Sequence, residues 1–108
     1  MIVTTTENVP GHRVAWVFGT AFGIVVRSRG IGGNIAASFR SIGGGEIVEY
    51  TKLVDDTRRQ AMDRLMQNAA QMGANAVVMM RFDSGEIAQG MNEVVAYGTA
   101  VAVEPLQQ

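Results

Sequence analysis

The stretch Gly43–Met80, GGGEIVEYTKLVDDTRRQAMDRLMQNAAQMGANAVVMM, sets the organisation of the chain. It reads as a glycine break, a long amphipathic helix, a glycine stop and a buried strand. Within Glu46–Met72, Ile47, Val54, Ala61, Leu65, Ala69 and Met72 recur at spacings that place them on one helical stripe. Thr51 and Arg58 fall at its rim. Met62 and Met66 lie beside it and widen it. Asp55, Asp56, Arg59 and Asp63 form i+3 and i+4 pairs worth about 0.2–0.5 kcal/mol each. Glu46 and Glu49 suit the positive end of the helix macrodipole. Gly73 is placed to take the left-handed conformation that ends a helix, and Ala74–Arg81 then turns into a strand.

On the N-terminal side, Ile2–Thr6 (IVTTT) is β-branched throughout and reads as a short strand. Asn8–Gly11 (NVPG) is a turn, because proline fixes its φ and glycine accepts a positive one. Arg13–Ser28 is rich in Val, Ile, Phe and Trp. Gly19 and Gly23 argue against a helix there and mark a bulge or bend in a long strand. Simple alternation puts Trp16 and Phe18 on one face, Ala15 and Val17 on the other, so both faces are apolar and both call for cover. Ser28–Asn34 is a loop, and Asn34 caps a short helix over Ile35–Ile42. On the C-terminal side, Asp83–Gly90 reads as a hairpin loop and Met91–Val103 as the last strand. One face of that strand carries Val94, Ala96, Gly98, Ala100 and Ala102, small enough for a helix to come close.

The order is β-β-α-β-β with a short helix before the long one. This is a single small α+β domain over residues 1–108, two layers, an antiparallel or mixed sheet with one long helix. A lone helix covers one face of a sheet. Hydrophobic residues are 47% of the chain and charged residues 18%, against about 25% charged in soluble domains. Charge is scarce and the second face is apolar, so that face is expected to meet another copy of the chain.

The net charge of −1 supplies no basic field for nucleic acid. The apolar run Val14–Val26 is shorter than the roughly 20 residues a spanning helix needs, so no membrane partner is expected. The chain has no cysteine, which fits the cytoplasm and excludes thiolate metal sites.

Several segments together resemble a known family: Gly30, FRSIGGGE at Phe39–Glu46, Tyr50, Arg58, Ala61, GANAVV at Gly73–Val78 and EVVAYGTAV at Glu93–Val101. They resemble the YbjQ family, also called UPF0145, over roughly Thr5–Val103. The resemblance implies a dodecin-like α/β fold, a pentameric ring, a cytoplasmic location and a heavy-metal-binding label with no settled activity.

Weighed by chemistry, soft or borderline metals favour Cys and His, and only His12, in the turn, is available. Met62 and Met66, one turn apart, are explained by packing, and Met79 and Met80 point to opposite faces of a strand. A carboxylate ring at a symmetry axis, from Glu46, Glu49 or Glu93, is the metal-binding alternative. The glycines at 30–33 and 43–45 precede helix starts, where amides hold anions, yet neither run forms a phosphate-binding fingerprint. No nucleophile has a histidine partner, so no catalytic residue is assigned. The candidate ligand site comprises Arg29, Asn34, Arg40, Glu46, Tyr50 and Glu93; no metal ligand set and no cofactor is identified. The expected function is a non-enzymatic homo-oligomer that binds or stores a small ligand, and the resemblance implies five copies. An enzyme acting on a small anion at an interface pocket of Arg29, Arg40, Glu46 and Tyr50 is the further alternative.

Overall fold

The computed structural model describes residues 1–28 and 48–107. The expected helix over Ile35–Ile42 and the glycine runs at 30–33 and 43–45 lie outside them. Five elements follow in order: β1 (Ile2–Val3), β2 (His12–Ser28), α1 (Val48–Gln71), β3 (Ala76–Ala88) and β4 (Met91–Pro105). The strands form one mixed sheet in the order β1-β3-β4-β2. Strand β1 runs parallel to β3, and both other pairings are antiparallel. This is the α+β arrangement expected, with α1 on one face.

The helix buries Ala61, Leu65 and Ala69 of the predicted stripe, together with Thr57, which is not one of its residues, whereas Val54, expected on the stripe, is exposed. Ala61, Leu65 and Ala69 pack on Ala21 and Val25 of β2, Val77 and Met80 of β3, and Ala96 and Ala100 of β4. Alanine dominates this interface, so the layers sit close. Gly23 is the closest point: a Cβ there would run into the Ala61 carbonyl and the Leu65 amide. Gly98 is small for another reason. A Cβ at that position would lie 2.6 Å from Val77 Cγ1 and 3.2 Å from Met80 Cα, so its space belongs to β3 and not to the helix.

The stop at Gly73 has the form the sequence anticipated. Gly73 has φ of 99°, its amide donates to the Ala70 carbonyl, and the Ala74 amide reaches back to Ala69, both at 3.0 Å. These bonds satisfy carbonyls left open at the helix end. Asn75 then joins the helix to the sheet: its Oδ1 accepts from the Val103 amide at 2.8 Å and its Nδ2 donates to the Val103 carbonyl at 2.9 Å. The NVPG turn also forms. The His12 amide donates to Val9 O at 3.1 Å, and Gly11 carries a φ of 76°, the type II geometry that Pro-Gly favours.

Several sequence expectations change, and the strand expected over Ile2–Thr6 is only Ile2–Val3. Strand β3 runs on to Ala88, so Asp83–Ala88 is strand and only Gln89–Gly90 turns the chain. Pairing with Met91–Val95 of β4 overrides the turn propensity of Asp-Ser-Gly. Strand β2 does not alternate simply. Its register against β4 skips between Val14 and Trp16 and again between Val17 and Gly19. Phe18 therefore sits in a bulge, where its ring packs on Gly73, and Gly19 takes a φ of 120°. Strand β3 bulges between Val78 and Arg81. There Met79 adopts a φ of 56°, its amide donating to Thr6 O and that of Met80 to Thr4 O, each at 3.0 Å. Met79 is exposed and Met80 buried.

The sheet face away from α1 is covered at one end only. Val9, from the turn segment, packs there with Ala76, Val78, Val101 and Val103. Further along, Phe22 is 51% and Ile24 45% exposed, beside the exposed Val26 and Tyr97. Phe22 pairs directly with Tyr97 and Ile24 with Val95. Within one chain, α1 therefore covers one face of β2 and leaves the other largely open.

Candidate functional site

Of the six predicted ligand-site residues, Tyr50 and Glu93 are among the described residues; Arg29, Asn34, Arg40 and Glu46 lie outside them. Tyr50 stands half-buried in the first turn of α1. Glu93 lies near the start of β4, paired with Val26 on one side and Gly85 on the other. Both belong to the same end of the molecule, because Val54, one turn after Tyr50, lines a cavity of about 270 Å³ together with Glu93, Glu86 and Arg58.

A second, larger cavity of about 530 Å³ lies on the same flank of α1, and Arg58 borders both. Its origin is the seating of the helix. Gly23 and the small residues of β4 draw α1 over β2 and β4, where its side chains reach the sheet edge. Asn68 Oδ1 accepts from the Phe22 amide at 2.9 Å, Arg64 donates to Ile24 O at 2.5 Å, and Arg27 donates to Gln60 Oε1 at 2.8 Å. The β3 side stays partly uncovered. Phe82 pairs with the buried Ala96, yet remains half-exposed as the floor of the cavity, with Met62 and Met66 as its helix wall.

The charges around this cavity are unequal in their commitments. Arg59 Nε donates to Asp55 Oδ2 at 2.9 Å. That hydrogen bond, with the charge of the carboxylate, holds the Arg59 guanidinium above its ordinary pKa. Arg58 stands instead over the Phe82 ring, 5.4 Å from its centroid, a contact worth about 0.5–1 kcal/mol at an exposed position. Sequence reasoning put Arg58 at the rim and noticed Met62 and Met66. Phe82 carried no signal, since it fell between the strand expected over Ala74–Arg81 and the loop expected over Asp83–Gly90.

For metals, His12 is accounted for locally, with Nδ1 2.9 Å from the Pro10 carbonyl. Among the described residues no group of three or more His, Cys, Asp or Glu is placed to hold an ion. None of the described helices is long and apolar enough to cross a membrane.

Comparison with known proteins extends over this whole framework. The YbjQ family model, described as "Putative heavy-metal-binding", matches residues 1–104. The chain belongs to the YbjQ family. A UPF0145 protein of Bradyrhizobium sp. (strain ORS 278) is 65% identical over 105 residues, covering 97% of this chain and 95% of that one. Another, from Thermoplasma acidophilum, is 59% identical over 104 residues, covering 96% of this chain and 87% of the relative. Among solved structures, a protein of unknown function from Pediococcus pentosaceus, assigned to the DUF74 family, superposes with a TM-score of 0.66 at 12% identity. That match covers 96% of this chain and 98% of the other. At such identity it speaks for the fold alone.

Proposed function

We propose that the chain works as a non-enzymatic homo-oligomer that binds or stores a small ligand in the cytoplasm, five copies being the number the family resemblance suggests. The observation that carries this reading is the apolar face of β2 and β4 left open by the single helix: Phe22, Ile24 and Val26 beside Tyr97. A contiguous apolar surface of this kind marks an interaction site. A second copy supplies the matching surface without any further partner. Light scattering behind a sizing column tests it: a single species of several times 11.6 kDa is expected, and a monodisperse monomer overturns it.

A metal site between subunits is the second reading, favoured by one residue. Glu93 pairs with Val26 within this apolar zone, so assembly would bring one such carboxylate from each copy toward a shared axis. Carboxylate oxygens suit hard divalent cations. Calorimetric titration with divalent ions should then show uptake that Glu93→Gln removes; no uptake of any ion by the wild-type oligomer refutes it.

A further inference from the structure

We propose that the groove between α1 and β3 binds a small organic monoanion with a flat apolar body, its charge held by Arg58 and its body lying on Phe82, Met62 and Met66. The inference rests on the ligand-binding half of the reading above. It places the ligand on the helix flank, away from the open sheet face.

Three observations set the ligand's chemistry. The first is the floor: an aromatic ring with two thioether side chains beside it, in a cavity of about 530 Å³, within the range that small-molecule pockets occupy. Met packs adaptably against rings, often with sulfur near the ring edge. A planar apolar body therefore finds contact on two sides.

The second is the cation at the groove that no described carboxylate holds. Arg59 is held by Asp55. Arg58 forms no ion pair with a described residue, although Glu86 and Glu93 line the adjoining cavity with it. It lies over Phe82 instead. That position fixes one face of the guanidinium and leaves its N–H edge to meet a carboxylate or sulfonate, the planar pairing that Arg favours.

The third limits the ligand's charge. Asp63 stands on the rim of the larger cavity, and Glu86 on the far side of Arg58. A ligand with two or more negative charges would meet these carboxylates at close range. The groove therefore selects a monoanion with an apolar body over a polyphosphate or a dicarboxylate.

The test uses the full chain, labelled with [methyl-¹³C]methionine, and 2-naphthoate as probe. Naphthalene-2-carboxamide serves as the neutral control. Saturable shifts of the Met62 and Met66 methyl signals are expected, with the exposed Met79 unmoved. R58Q should raise the Kd for naphthoate at least tenfold and leave the carboxamide's weaker binding unchanged. F82L should weaken both, whereas K52Q, which removes a helix charge outside the groove, should weaken neither. The proposal is overturned by the absence of saturable shifts, by shifts confined to other methionines, or by equal losses in R58Q and K52Q. Light scattering on the same samples reports assembly separately, so failed binding by an intact oligomer refutes the groove and leaves the oligomer standing.

Discussion

Gly23 of β2 meets the backbone of α1 at Ala61, with no space between them for a methyl group. The contact sets how close the helix lies to the sheet and how far it leans toward β2. Gly23→Ala must push the two layers apart across an interface of fully buried alanines. We expect a loss of about 2–3 kcal/mol, the scale of overpacking in a core, read as a lower urea midpoint at unchanged slope.

Gly73 closes the helix with a φ of 99° and has the Phe18 ring 3.3 Å from where a Cβ would stand. Gly73→Ala should cost at least about 1–2 kcal/mol for the left-handed backbone alone. A thermal melt that does not move would show that another geometry can end the helix.

Asn75 satisfies both backbone groups of Val103 through one side chain. Removing it as Asn75→Ala leaves a donor and an acceptor unpaired in a partly buried place. A destabilisation of about 1–3 kcal/mol is expected. Asn75→Asp should retain the bond from the Val103 amide and lose the one to its carbonyl, so denaturant unfolding should rank it between wild type and alanine.

Ile24 points away from the helix, 45% exposed, with its carbonyl tied to Arg64 on α1. Ile24→Lys should hardly change the stability of an isolated chain. If copies meet through this face, the substitution converts the oligomer to monomers at micromolar concentration, which sedimentation velocity would show. An unchanged sedimentation coefficient would place the contact elsewhere.

The parts of the fold that announced themselves in the sequence are those with local causes. Pro10-Gly11 and Gly73 specify their turns through backbone freedom, and Ala61, Leu65 and Ala69 mark the buried stripe by spacing alone. Where a distant partner decides, local signals mislead. Asp83-Ser84-Gly85 has turn chemistry yet is held extended by β4. Met79 occupies a positive φ that its side chain does not suggest, because the bulge is fixed by amide bonds to Thr4 and Thr6. Trp16 and Phe18 lose their simple alternation to two register skips. The candidate site was less legible. Tyr50 and Glu93 do share one end of the molecule, but the Arg58–Phe82 pair joins residues whose proximity depends on how the helix leans. That lean follows from Gly23, which the sequence offered only as a bend.

Among the described residues, the buried contacts of α1 gather toward its C-terminal half. Its buried residues all fall between Thr57 and Ala69, and the C-terminal end is bonded into the sheet through Gly73, Ala74 and Asn75. Residues Val48, Leu53 and Val54 stand exposed. Local opening needs least free energy where few apolar contacts are lost. The segment Thr57–Ala69 should therefore be the part of the helix that opens least readily. Amide hydrogen exchange should be slower there than near Lys52–Asp55, turning a single uniform-looking helix into a graded one.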